Sequence, residues 1–178
     1  MGGMTPKELE GWARRLGETA MRMLAEQDAC PPTALVVVQG VPISTEMVLA
    51  GEEDKVLLRA YFEMAARGGA EACALVVEAW RVRISTAARA LAARPGLTSL
   101  AEVPGRQEVL LVHAVSPQGA AIRAFRIVRR RDRVALVVDP TASADDTVSR
   151  FLTGLPWAPA GARQRDRVKA RRQRRQAP

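Results

Sequence analysis

The sequence predicts an α+β domain, a mixed, mostly antiparallel sheet of about five strands packed by two or three helices in the order α-β-α-β-β-β-β-α. Three features of the chain point there. A capped amphipathic segment opens it, four apolar segments separated by short turns occupy residues 74–139, and glycine or proline punctuates the junctions. At 178 residues and 48% hydrophobic content the chain is long enough for one domain with its own core, and its 4% aromatic content leaves that core to aliphatic residues and alanine.

Thr5-Pro6-Lys7-Glu8 reads as a helix start: a threonine cap, a proline at the first helical position and a glutamate three residues after the cap. The helix should run to about Gln27, with Leu9, Trp12, Ala13, Leu16, Ala20 and Met23 forming one apolar stripe, before Cys30-Pro31-Pro32 stops it. Ala34-Leu35-Val36-Val37-Val38 suits a central strand buried on both faces. A turn through Gly40, Val41 and Pro42 follows. Glu52-Glu53-Asp54 then place negative charge in the first turn of a second helix, where the helix dipole favours it. Leu57, Ala60, Tyr61, Met64 and Ala65 supply its apolar stripe, and Gly68-Gly69 end it.

Four strands are expected next, over about Ala74 to Ile84, Glu108 to Ser116, Ala121 to Arg129 and Arg133 to Asp139. Ser116-Pro117-Gln118-Gly119 predicts a hairpin turn and Arg130-Arg131-Asp132 a tight connection, giving an antiparallel meander. Ser85 to Gln107 is long for a structureless loop and offers a place for a partner site or lid. Ser143-Ala144-Asp145-Asp146 resembles a capping signal, and Val148, Phe151, Leu152 and Leu155 have helical spacing for a third helix. Residues 1–155 thus form one domain and 156–161 a proline-rich linker in which Trp157 packs back on the domain. Residues 162–178 form an arginine-rich tail, unfolded when free.

The chemistry expected of this chain is narrow. Cys30 and Cys73 lie too far apart, and too far from the one histidine, to build a CxxC or zinc motif, and read as buried thiols in a reducing cytoplasm. No GxSxG, SxxK, phosphate-loop or dinucleotide fingerprint is present, and His113 stands in the middle of an apolar run. No cofactor or metal is expected. The acidic clusters Glu52-Glu53-Asp54 and Asp145-Asp146 sit where helix N-termini favour negative charge. Glu78 interrupts an apolar strand on the face of Val76 and Trp80, so it needs a partner, for which Arg123 or Arg126 is the candidate. A site distributed over Glu78, His113 and the long loop is the enzymatic reading, and the weakest.

Charge is the strongest functional signal. Residues 1–161 hold 19 basic and 18 acidic residues, whereas residues 162–178 hold Arg163, Arg165, Arg167, Lys169, Arg171, Arg172, Arg174 and Arg175 against the single Asp166. The tail therefore carries seven of the eight net positive charges. Its composition resembles arginine-rich RNA-binding segments, which fold on their targets, and those eight residues are the candidate nucleic-acid contacts. Arg123, Arg126, Arg129, Arg130, Arg131 and Arg133 could extend that surface as a stripe along the hairpin. The strand ending Glu78-Ala79-Trp80 with the later Arg106 and Glu108 resembles small bacterial and phage-associated proteins, a likeness that carries no function. The expectation is a non-enzymatic, cytoplasmic adaptor whose neutral domain docks a protein partner or itself while the tail contacts nucleic acid. The alternative is a structural subunit of a phage-like assembly that uses the tail for subunit contacts. No membrane partner is expected, because the tail has no apolar helix face and no segment is long enough to span.

Overall fold

The computed structural model describes residues 3–81, 106–129, 134–138 and 151–158. Two helices and six strands follow the order α1 (Pro6–Gln27), β1 (Thr33–Val38), β2 (Val41–Glu46), α2 (Glu52–Arg67), β3 (Ala72–Arg81), β4 (Gln107–Ser116), β5 (Gly119–Arg129) and β6 (Val134–Val138). The strands form one sheet in the order β2-β1-β3-β4-β5-β6, and every neighbouring pair is antiparallel. The α+β class is as expected, but the sheet has one more strand than expected and no parallel pair among the described residues.

The extra strand is β2. Gln39 and Gly40 both have positive φ, the requirement of a two-residue hairpin turn whose twist matches that of its strands. The turn therefore lies one residue earlier than Gly40-Val41-Pro42, and Val41 and Pro42 belong to the strand. All six residues of β2 are exposed, and its apolar alternation is limited to Val41 and Ile43, too short a pattern to mark a strand in sequence. Pro42 is tolerated because β2 is an edge strand.

Helix α1 starts with the expected capping box: the Thr5 hydroxyl accepts from the Glu8 N–H at 3.3 Å, and the Glu8 carboxylate accepts from the Thr5 N–H at 2.8 Å. It ends on Asp28 in the left-handed conformation, two residues before Cys30. Its buried stripe of Leu9, Trp12, Ala13, Gly17, Ala20 and Leu24 packs on the face of the sheet that displays Leu35, Val37, Val76, Leu110, Val112 and Phe125.

Helix α2 covers the opposite face over β1 and β3, and of the expected stripe only Tyr61 and Ala65 pack, partly buried, against that core. Leu58, Phe62 and Ala66 are the buried row, packed with Ala34, Val36, Cys73 and Leu75, while Leu57 and Met64 remain 65% and 68% exposed. The sequence offers two adjacent apolar rows, Leu57/Tyr61/Met64 and Leu58/Phe62/Ala66, and helical periodicity does not choose between them. Arg59 fixes the rotation, donating to the carbonyls of Phe151 (3.4 Å), Thr153 (2.6 Å) and Gly154 (3.5 Å) on one flank of the helix. Gly69, with φ +77°, supplies the left-handed turn after α2.

The four predicted meander strands are β3 to β6, and the Pro117–Gln118 turn joins β4 to β5 as expected. The Arg130-Arg131-Asp132 connection, nearly all of the 85–107 excursion and the start of the third helix lie outside the described residues. The described end of that helix, Phe151–Gly154, is a turn. It buries Leu152, with Leu155 just beyond it. Trp157 packs on the same core, and the Ala158 N–H donates to the Ala66 carbonyl at 3.0 Å.

Gly17 lies where α1 crosses β5 so closely that a Cβ there would stand 2.6 Å from Phe125 Cε2. Alanine favours a helix interior by roughly 1 kcal/mol over glycine, yet overpacking at such a contact costs about 1–3 kcal/mol. Gly17→Ala is therefore expected to lower stability in urea unfolding; an unchanged or raised midpoint would show that the Phe125 ring is free to move aside.

Candidate functional site

Residue parity in the strands sorts the chemistry-bearing side chains onto opposite faces of the sheet. In the antiparallel register Glu78 pairs with Leu110 and Leu110 with Phe125, all on the α1 face, whereas Leu75 pairs with His113 and His113 with Ile122, all on the α2 face. Glu78 and His113 thus cannot meet across the sheet. The structure does not bring these two together, and residues 82–105, the bulk of the third part of that expected site, lie outside the described residues.

On the α1 face, at the end of the sheet nearest the C-terminus of the helix, Arg129 gathers three acids. Its guanidinium donates to Glu108 at 2.9–3.2 Å, to Glu78 Oε2 at 2.8 Å, to the Asp28 carbonyl at 3.0 Å and to the Asp28 carboxylate. Glu78 Oε1 in turn accepts from the Cys30 N–H at 2.6 Å. One side chain therefore ties the end of α1 and the segment after it to β3, β4 and β5. The Glu108 hydrogen bonds raise the pKa of the guanidinium most; burial, the next largest effect, opposes them, and the charges of Glu108, Asp28 and Glu78 add smaller upward shifts. The partner of Glu78 is Arg129, not Arg123 or Arg126. Arg123, on the α1 face, is held by Glu10 from the helix above, and Arg126, paired with Val109, points to the other face and is exposed.

This also breaks up the expected basic stripe. Of its members within the described residues, Arg123 and Arg129 are neutralised by acids and Arg126 faces the opposite way. Arg130, Arg131 and Arg133, like all eight candidate contacts of the tail, lie outside the described residues. Among the described residues no group of three metal-ligating side chains is found, and no helix is long and apolar enough to cross a membrane.

On the α2 face, a cleft of about 380 Å³ opens between the β4–β5 hairpin and the 152–157 segment, with His113, Ile122, Leu152, Leu155 and Trp157 among its lining residues. His113 is 4% exposed and its Nδ1 is buried without a hydrogen-bond partner. Burial lowers its pKa from 6.5 to about 4, so the ring is neutral at pH 7. Among the described residues no acid, base or nucleophile is hydrogen-bonded to Nδ1. Cys30 and Cys73 are buried thiols, as expected, and desolvation raises their pKa values to about 11 and about 12, which removes their thiolate character at neutral pH.

No protein-family model, curated protein or solved structure matches the chain.

Two outcomes follow from these clusters. Arg129→Met leaves Glu78 and Glu108, both three-quarters buried, without their cation. Allowing for solvent access at the cluster edge, it should cost about 1–2 kcal/mol in urea unfolding, against a smaller loss in Glu78→Gln, which still accepts from Cys30; no loss in either variant would mean the cluster is fully hydrated. For His113, the unfolded chain takes up a proton below pH 6.5 that the native ring refuses until about pH 4. Stability from this group is full above 6.5, falls as pH drops towards 4, and levels below it, a span worth about 3 kcal/mol. His113→Leu should flatten that part of the stability profile, and an unaltered profile would reject the assignment.

Proposed function

We propose that the chain is a non-enzymatic binding protein: the α+β domain is a docking body, and the tail engages nucleic acid through its phosphates in the cytoplasm. The observation that carries this reading is the partition of charge. The first 161 residues are nearly neutral, and the last 17 hold eight basic side chains and one acid. Local pairing of the domain's own arginines supports the division of labour. Arg59, Arg67, Arg123 and Arg129 all have acidic partners within the domain, which leaves the tail as the concentrated source of positive charge. The absence, among the described residues, of a hydrogen-bonded partner at His113 Nδ1 and the raised thiol pKa values of Cys30 and Cys73 weigh against a catalytic role for these described groups.

An arginine-rich segment neutralises phosphates and releases their counterions, so affinity falls linearly with salt on logarithmic axes. With all eight basic residues engaged on duplex DNA, the slope should approach about −7 with little dependence on base sequence. Binding to a labelled duplex and to a structured RNA, measured across a salt series for the full chain and for a chain ending at Gly161, tests this. Loss of binding and of the salt slope in the shortened chain is the expected result. Equal, salt-insensitive retention by both chains would overturn it. A tail-dependent oligomer that holds no nucleic acid would favour the alternative, a structural subunit that uses its tail on a neighbouring acidic surface.

A further inference from the structure

We infer that the partner docked by the domain is a second copy of the same chain, joined edge to edge through β2 in an antiparallel, two-fold symmetric pair. This deepens the docking half of the reading above and is independent of the tail.

The first support is the backbone of β2. The two-residue turn makes Val38 and Val41 a hydrogen-bonded pair, so alternate residues Val41, Ile43 and Thr45 turn their N–H and C=O groups towards β1. Pro42, Ser44 and Glu46 turn theirs to the free edge. Pro42 has no N–H to leave unmet there, while the Ser44 and Glu46 groups form a template for another strand. When a second β2 runs antiparallel with Ser44 opposite Ser44, the two serines exchange two hydrogen bonds, and each Glu46 N–H meets the partner's Pro42 carbonyl. Four bonds form, and β2 carries no lysine or arginine to repel its twin.

The second support is the apolar surface beside that edge. Val41 and Ile43 pair with Val38 and Val36, which places them on the α2 face, and they are 59% and 50% exposed. Leu57 and Met64 stand on one flank of α2. On the other flank, Arg59 reaches over to the 151–154 segment, which lines a cleft with β4 and β5. The Leu57/Met64 flank is therefore the one turned towards the β2 edge. A two-fold axis normal to the sheet keeps both α2 helices on the same side of a continuous twelve-stranded sheet. Val41 and Ile43 of both copies form the floor of the trough between the helices, and Leu57 and Met64 form its walls. With Val48, 74% exposed just after β2, these residues expose roughly 500 Å² of surface per copy, and full burial of two such surfaces would come to roughly 1,000 Å², the lower bound for a specific interface. The same patch serves both partners, which is the condition for a closed dimer. Glu46, Glu52 and Glu53 border it, so an anionic bilayer is a poor alternative occupant.

The test is sedimentation equilibrium of the full chain, nuclease-treated and in high salt so that the tail is silent, over a concentration series through the micromolar range. The expected result is a monomer–dimer equilibrium. Ile43→Lys and Leu57→Lys, both at exposed positions, should each weaken it by about tenfold or more without lowering the thermal midpoint of the monomer. Val56→Lys, on the outward side of α2 and 67% exposed, should leave it unchanged. A monomer at every concentration, or a dimer insensitive to both Ile43→Lys and Leu57→Lys, would overturn the inference. Dimerisation can strengthen retention by the full chain through avidity, but neither result changes the loss expected of a chain ending at Gly161, which is what tests the tail.

Discussion

The antiparallel register of β3 on β4 is the constraint from which the rest of this molecule follows. Both faces of the pair are covered, by α1 on one side and by α2 with the 152–157 segment on the other, so every residue is committed to a layer by its parity. Val76 opposite Val112 belongs to the α1 layer, and Leu75 opposite His113 belongs to the α2 layer. A one-residue slip of β3 would turn Glu78 to the α2 face, away from Arg129, and a slip of β4 instead would move His113 beneath α1. The cost of such a slip is a misplaced carboxylate and an exchanged core, which is why the register is uniquely held.

Within that frame the polar groups are placed where they do least harm to the core. Glu78 lies at the margin of the α1 layer, where Arg129 and the Cys30 N–H satisfy it and where Asp28 and Glu108 share the same guanidinium. His113 is kept neutral by desolvation in an apolar cleft. What the domain leaves unsatisfied lies at the other end of the sheet, where the β2 edge and the flank of α2 expose backbone groups and apolar side chains together. The tail, by contrast, holds almost all the net charge of the chain. A dimer joined through β2 would carry two tails, and two linked tails bind a polyanion with an avidity that neither has alone.

Local signals in the sequence determined a good deal. The capping box at Thr5, the extent of α1, the doubly buried character of β1, the acidic first turn of α2, the Pro117–Gln118 hairpin and the burial of both cysteines each follow from contacts within a few residues or from plain hydrophobicity. The separation of a neutral domain from a basic tail is likewise a property of the chain, independent of how it folds.

Tertiary structure alone decided the features that depend on a distant partner. The apolar alternation of β2 stops at Val41 and Ile43, and only its pairing with β1 makes it a strand. The choice between the two apolar rows of α2 rested on Arg59 finding carbonyls more than 90 residues away. The cation that satisfies Glu78 was fixed by which arginines α1 and the sheet parity had already claimed: Glu10 holds Arg123, Arg126 faces away, and Arg129 is left to close the cluster. Periodicity assigns a residue to a face, but only the packed layers determine which charges on that face are close enough to pair.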